Sequence, residues 1–214
     1  YVFGFAWKEI ILRNQINRDY EAQRISSNGF EPSTDVVMLM MRAIFNEHVP
    51  YSTWKHTSSN NSTSTLMITH DVDSYTGVDS LSVFADSEMN MGITATYNMT
   101  VRYFSDALMS DFYIGSLPNL DYAINKGHII GSHSVGHFFD FADDAIFPIG
   151  SPGNTKDNYT PSNDGAVTVG GTVYGECEVS KDVLEADLNV DIRSFRSGHL
   201  AYNKYLVDVL DDLG

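Results

Sequence analysis

From residue 66 onward, short apolar runs alternate with helix-forming stretches, and this alternation constrains the fold more than any other feature. The apolar runs predict strands at residues 66–69, 93–99, 128–131 and 192–195. The stretches between them predict helices at residues 80–89, 117–126 and 180–188. Because strands and helices in turn form parallel sheets, the sequence predicts an α/β domain with its chemistry at the carboxyl ends of the strands.

The first 65 residues lack this alternation and form a separate N-terminal extension, residues 1–65, which we expect to be mainly helical. One helix is predicted to start at Ser33 or Thr34, either of which can cap it, and to run to about residue 47. The second region, residues 66–214, is the predicted catalytic domain. Within it, residues 138–174 are rich in Gly, Pro, Asn, Asp and Thr and predict a long insertion, either a wall of a substrate groove or a surface loop without a role.

Charge and cysteine content exclude several classes of function. Lys and Arg number 13 against 28 Asp and Glu, so the net charge is −15 and the sequence pI is about 4.6. Nucleic acids and anionic membranes need a basic surface, and we expect neither as a partner. The apolar runs, such as residues 36–41, are too short to span a bilayer. Cys177 is the only cysteine, which excludes an internal disulfide.

Two aspartates follow the first predicted strand, in the segment Thr69-His70-Asp71-Val72-Asp73-Ser74. Residues two positions apart point to the same side of an extended chain, so the two carboxylates are predicted to lie together. Crowding two negative charges costs free energy unless a cation or a basic group compensates. The pair therefore indicates either a cation site or an ordinary acidic turn.

A second segment, Gly131-Ser132-His133-Ser134-Val135-Gly136-His137, follows the third predicted strand. If the chain is helical here, histidines at positions i and i+4 share one face and can bind one metal ion through both imidazoles. The alternative is a pair of histidines without a ligand.

A third segment, Arg193-Ser194-Phe195-Arg196-Ser197-Gly198-His199, lies on and just after the last predicted strand. A guanidinium near Asp71 can hold that carboxylate in place and ionised, whereas the alternative is an ordinary surface arginine. Gly198 allows the backbone to approach a ligand closely, or marks a turn. The three segments together, at successive strand ends, favour an enzyme site.

These segments, in this order, resemble the first three motifs of the NodB-type polysaccharide deacetylases, carbohydrate esterase family four. The first motif, His70-Asp71-Val72-Asp73, resembles the His-Asp-Val-Asp version found in one branch of that family. The resemblance covers roughly residues 66–214. It implies a distorted (β/α) barrel of the NodB type, incomplete at the C-terminus of this chain.

Matched residue by residue, the resemblance implies a role for each polar side chain. Asp71 corresponds to the catalytic base, and Arg196 to the arginine that orients it. Asp73, His133 and His137 correspond to a triad that binds one divalent metal ion, with zinc the family's usual ion. Two imidazoles and a carboxylate also accept cobalt, nickel, manganese or iron.

The third motif departs from the family pattern Arg-X-Pro-Tyr, because Gly198 stands at the proline and His199 at the tyrosine. The resemblance still implies a catalytic role for His199, a backbone N–H near it that would bind the oxyanion, and substrate binding by Ser197 and Gly198. Two further family motifs, including one that brings a histidine proton donor, are absent before Gly214. We therefore expect the chain to be part of a longer protein, with His70 and His199 as the nearby histidines that remain to donate a proton.

The implied function is a metal-dependent polysaccharide deacetylase that releases acetyl groups through metal-activated water and an Asp base. Such an enzyme is a hydrolase acting on C–N amide bonds other than peptide bonds, or on acetyl esters. The implied partner is an acetylated polysaccharide or oligosaccharide, and the implied location is secreted, periplasmic or in the cell envelope. Two alternatives stay open: a metal-dependent amidohydrolase acting on a small linear or cyclic amide, and a non-catalytic relative that binds carbohydrate.

Overall fold

A computed structural model describes residues 33–49, 51, 65–101, 112–165 and 167–214. The chain divides into two compact units, Tyr1–Thr65 and Leu66–Gly214. In the first unit, helix α1 spans Ser33–His48, which confirms the predicted helix. The other expectations for the N-terminal extension fall outside the described residues.

The second unit contains a parallel sheet with strand order β1-β2-β3, which confirms the α/β expectation. Strand β1 is Thr69–Val72, β2 is Thr96–Met99 and β3 is Ile129–Ser132. The first strand begins three residues later than the apolar run at residues 66–69 predicts. Leu66 and Met67 are 82% and 81% exposed, because pairing with β2 begins only at Thr69.

Helices pack on this sheet and bury its apolar side chains. Helix α2 is Tyr75–Asn90, α3 is Phe112–Asn125 and α4 is Ser180–Leu188. A further helix, α5 at Leu206–Leu213, packs against the segment Gly175–Val179 instead of the sheet. The core includes Leu81, Tyr97, Leu120 and Leu184, each nearly or fully buried. Within the described ranges, no helix combines the length and hydropathy needed to cross a membrane.

The start of α4 differs from the sequence prediction that Ser180 caps it. A π-helix at Gly175–Val179 leads directly into α4, so Ser180 already has helical backbone angles. Its hydroxyl donates to the carbonyl oxygen of Glu176 at 2.6 Å, a bond to the preceding turn. Buried serines in helices satisfy their hydroxyls in this way, and the sequence alone does not distinguish this use from a cap.

The fourth predicted strand, at residues 192–195, is reduced to one parallel bridge between Ser132 and Phe195. The Ser132 N–H donates to the Ser194 carbonyl at 2.9 Å, and the Arg196 N–H donates to the Ser132 carbonyl at 2.8 Å. This bridge brings the third motif beside the end of β3. In the part of the chain that the structure describes, the main sheet is open, and closure into a barrel stays a prediction.

The predicted insertion at residues 138–174 is packed rather than structureless. It contains an antiparallel hairpin of β4, Ser162–Asp164, and β5, Val167–Val169. It also contributes Phe138, Phe141 and Phe147 to a second apolar cluster, which α5 joins through Leu206 and Val209. Aromatic residues thus anchor a segment whose overall composition is typical of loops.

Candidate metal centre and active site

The first motif occupies the carboxyl end of β1, where the alternation of the strand determines which side chains face the site. Thr69 and Asp71 lie on the same face, and Arg196 bonds to both. Its guanidinium donates to Asp71 Oδ1 at 2.9 Å and to Thr69 Oγ1 at 2.6 Å. The structure therefore brings together the aspartate and the arginine that the sequence paired, although 125 residues separate them.

The second motif is not helical, contrary to the condition under which the sequence paired its histidines. Ser134 and His137 have φ of 69° and 55°, in the left-handed region that non-glycine residues rarely adopt. The two imidazoles nevertheless meet, with 3.1 Å between His133 Nε2 and His137 Nε2. A tight loop thus achieves the convergence that a helical turn was expected to provide.

The two imidazoles and Asp73 form the one group of three metal-donor side chains that lie close together among the described residues. One ligand atom from each of Asp73, His133 and His137 lies within 4.8 Å of the others. His137 Nε2 and Asp73 Oδ2 are 3.4 Å apart. His133 is 1% exposed and Asp73 is the most accessible of the three, so the group opens to solvent on the aspartate side.

The geometry of this triad fits a divalent ion. His133 Nδ1 lies 2.8 Å from the Arg196 carbonyl oxygen and must donate to it, so its Nε2 carries the lone pair in the neutral ring. Ligand atoms about 2.0 to 2.1 Å from a tetrahedral zinc ion lie about 3.3 Å from one another. The observed separations of 3.1 and 3.4 Å are close to that value.

Asp71 lies beside the triad without being part of it. Its Oδ2 is 3.9 Å from His133 Nε2, while its Oδ1 accepts the bond from Arg196. One carboxylate oxygen is therefore anchored and the other faces the space next to the metal ligands. This arrangement suits a base that takes a proton from a water molecule held at the triad.

The third motif packs closely against the second motif, with Gly198 in contact with His137. A Cβ at this position would lie 2.9 Å from both the Cα and the Cγ of His137, which leaves no room for any side chain. Ser197 and Gly198 are buried, so the glycine allows close packing against His137, and their predicted contact with substrate stays a prediction. His199 is exposed, with its ring centroid 4.2 Å from that of His137.

Sequence reasoning missed Glu176, whose carboxylate supports the backbone of the histidine loop, residues 133–137. It is 0% exposed, and its Oε2 accepts from the N–H groups of Val135 and Gly136 at 3.0 and 2.9 Å. Its Oε1 accepts from the Tyr159 hydroxyl at 2.9 Å. Burial raises the pKa of Glu176 to about 7, against the opposing effect of these hydrogen bonds. No local signal distinguishes this residue from the other acidic residues around it.

His70 does not face the site, because it lies on the opposite side of β1 from Asp71. Its Nε2 is 2.5 Å from Glu88 Oε1, and its ring stacks on Tyr97 with centroids 4.7 Å apart. This placement removes His70 from the candidates for a proton donor at the metal centre.

No family model matches this sequence, and a search of curated proteins found no match. Nine chains among the solved structures match it. The deacetylase domain of BpsB from Bordetella bronchiseptica has 13% identity and a TM-score of 0.48, over 95% of this chain and 82% of that one. The Streptococcus pyogenes deacetylase PplD, solved in complex with acetate, has 18% identity and a TM-score of 0.46, over 81% and 58%.

A third neighbour is BA3943 from Bacillus anthracis, described as a CE4 family pseudoenzyme. It has 15% identity and a TM-score of 0.45, over 69% of this chain and 40% of that one. This chain thus spans about two fifths of the length of that relative. At such identities and TM-scores, the function has to be inferred from the geometry of the site itself.

Proposed function

We propose that this chain carries the active site of a metal-dependent deacetylase, a hydrolase that removes acetyl groups from an acetylated polysaccharide. The observation that carries the proposal is the convergence of two units at one edge of the sheet. One is the Asp73, His133 and His137 triad, and the other is the Asp71–Arg196 pair beside it. A metal-ligand triad with a separately held carboxylate is the arrangement that metal-assisted hydrolysis requires.

Asp73, His133 and His137 would hold the ion, and zinc, cobalt, nickel, manganese or iron all suit this donor set. A divalent ion in such a site supplies Lewis-acid activation of water and of the acetyl carbonyl. The His133 ring is held by its bond to the Arg196 carbonyl, which orients Nε2 toward the other ligands. The same arginine thus orients a metal ligand with its backbone and the base with its side chain.

Asp71 would take the proton of the attacking water through Oδ2, since Oδ1 is committed to Arg196. The Arg196 guanidinium, 2.9 Å from Oδ1, fixes the position of this carboxylate for the step. The backbone of the turn Gly198–Leu200 lies against His137 and would bring the His199 N–H to the developing oxyanion. The His199 imidazole, beside His137, is the candidate that we retain for proton donation to the leaving group.

The substrate class follows from this chemistry together with the sequence motifs. We infer an acetylated amino-sugar polymer as first choice, with O-acetylated polymers such as xylan next, because the hydrolytic step is the same for both. A location outside the cytoplasm, where such polymers occur, belongs to this proposal.

The test is release of acetate from acetylated chito-oligosaccharides by the metal-loaded chain, with metal content measured by mass spectrometry. We expect about one equivalent of bound ion and acetate release, both lost in His133→Ala. Glu178→Gln, which changes a carboxylate away from the triad, serves as the control that retains both.

Each other result selects an alternative. Metal binding with hydrolysis of a small linear or cyclic amide, and none of the oligosaccharide, would replace the polymer with a small amide substrate. Oligosaccharide binding without turnover of any acetyl compound would indicate a non-catalytic carbohydrate-binding protein. A chain that binds no ion after reloading would overturn the proposal.

A further inference from the structure

Phe139 lies two residues after the metal ligand His137 and is 84% exposed, while its neighbour Phe138 is 8% exposed and packs in the second apolar cluster. Single exposed apolar side chains are common on proteins and by themselves indicate nothing. Phe139 differs because another ring holds its orientation. Its ring stacks on His199, with centroids 3.8 Å apart and planes 13° from parallel.

A second ring contact links His199 to the triad residue His137. The His199 ring meets the edge of His137 with centroids 4.2 Å apart and planes at 65°. His137 and His199 both have φ near 55°, at 55° and 53°, so left-handed backbone at two non-glycine residues produces this arrangement. Conformations of this kind cost free energy and concentrate at functional sites. The three rings, Phe139, His199 and His137, form a series of ring contacts that leads from the surface to a metal ligand.

One face of Phe139 is covered by His199, and the rest of the ring is open to solvent, since the residue is 84% exposed. An aromatic face carries partial negative charge, and the C–H groups on one side of a pyranose ring carry partial positive charge. The two surfaces are flat, apolar and of similar width. A sugar ring can therefore lie on Phe139 while its polymer neighbour occupies the metal centre.

We propose that the outer face of Phe139, backed by His199, is a sugar-binding subsite that receives the pyranose ring next to the acetylated unit. This subsite rests on the proposed function, since it names how that substrate is held. A phenyl ring buries at most about 150 to 250 Å², far below the roughly 800 Å² per partner of a stable protein interface. The exposed area thus suits one sugar ring rather than a protein partner.

The test measures the dissociation constant of an acetylated chito-oligosaccharide for the metal-loaded chain by calorimetry. Phe139→Ala is expected to weaken binding about fivefold to tenfold, the range that aromatic stacking provides. Phe139→Trp, with a larger ring, is expected to bind at least as tightly as the wild type. Val83→Ala removes another exposed apolar side chain, 69% exposed on α2, and is expected to change nothing.

The outcomes separate this proposal from the deacetylase reaction. Unchanged affinity in Phe139→Ala would overturn the subsite, whether or not the wild type releases acetate. Loss of metal in Phe139→Ala would also overturn it, because the ring would then support the ligands instead of the substrate. Weakened binding with metal retained would support the subsite even if no acetate is released, in which case only the proposed reaction fails.

Discussion

Two histidine–carboxylate networks lie on opposite faces of β1, and they use the same residue types in different ways. The metal-side network consists of Asp73, His133 and His137, and the helix-side network of His70, Glu88, Tyr97 and His128. In the helix-side network the side chains bond in pairs, to one another or to the backbone. In the metal-side network three donor atoms converge on one small volume. Convergence, rather than composition, marks the site that can hold an ion.

The partners of His128 illustrate the dispersed arrangement. Its Nδ1 accepts from the Ala95 N–H at 3.1 Å, and its Nε2 donates to the Ala85 carbonyl at 2.9 Å. Both ring nitrogens are therefore committed to the backbone. His133 has only Nδ1 committed in this way, to the Arg196 carbonyl, and turns Nε2 toward His137.

The buried glutamates on the two faces also differ in the direction of their pKa shifts. Burial raises the pKa of Glu88, but hydrogen bonds from Tyr97 and His70 outweigh it, and the net shift is downward. Glu176, which holds the loop of the metal-side network, has no cation beside it among its described partners, and burial raises its pKa to about 7. The two shifts differ in sign because Glu176 is the more deeply buried carboxylate, whereas the hydrogen bonds from Tyr97 and His70 outweigh the burial of Glu88.

The largest expected effect on activity comes from replacing one histidine of each network with alanine. His133→Ala should lose the bound ion and lower the rate of acetate release by about four powers of ten, since metal activation supplies several kcal/mol. His70→Ala should keep the ion, because His70 faces away from the site. Metal content by mass spectrometry checks both variants. Loss of the ion in His70→Ala, with His133→Ala still loaded, would reverse the assignment of the two networks.

Asp71→Asn should separate catalysis from metal binding. The amide keeps the shape of the side chain but cannot take a proton, so kcat should fall about 100- to 1,000-fold. Metal content should remain that of the wild type, because Asp71 lies beside the triad rather than in it. Loss of the ion in this variant would show that Asp71 is a ligand.

Glu176→Gln should weaken the affinity for the metal ion about tenfold. Mutating a residue that holds metal ligands in place through hydrogen bonds typically lowers metal affinity by about this factor. The amide oxygen can still accept from Val135 and Gly136, and Tyr159 can donate to the Thr172 carbonyl instead, at 3.2 Å. The variant is therefore expected to fold. The matched control is Glu178→Gln, two residues away in the same π-helix, for which a competition titration should show wild-type affinity.

A separate set of expected effects concerns stability, and these effects have opposite signs at the two glutamates. Glu176 binds its proton more tightly in the folded state, so its contribution to the free energy of unfolding falls by on the order of 3 kcal/mol as pH rises from about 4.5 to about 7. For Glu88 the folded pKa is lowered, so its contribution is present above the unfolded pKa and is lost as pH falls through the folded value.

Urea denaturation of the metal-free chain across this pH range measures both contributions. Glu176→Gln should remove the loss of stability between pH 4.5 and 7, and Glu88→Gln should flatten the acid side of the profile. Unchanged profiles in both variants would mean that the two carboxylates titrate alike in the folded and unfolded chains.

Local signals were enough to predict the α/β elements and to single out the polar residues of the three motifs, whose roles stay predictions. The alternation after residue 66 predicted a parallel α/β sheet, and the strands end where the motifs begin. Glycines at 92 and 127 have positive φ, as expected where helices end. Boundaries were less accurate, since strand pairing rather than apolarity decided that β1 starts at Thr69.

Other features could not be predicted because they depend on contacts between distant segments. The histidine loop is not helical, because Glu176, some 40 residues further along the chain, bonds to its backbone. The fourth strand is a single bridge, and the apparent loop at residues 138–174 is anchored by its phenylalanines.

The sequence by itself determined which chemical groups are present and which strand ends carry them, because residue type, spacing and strand alternation are local properties. Only the tertiary structure decided that Arg196 reaches Asp71 and that two imidazoles and Asp73 converge. Those outcomes depend on distances between segments 60 or more residues apart. Burial and packing, which act across the whole domain, determine such distances.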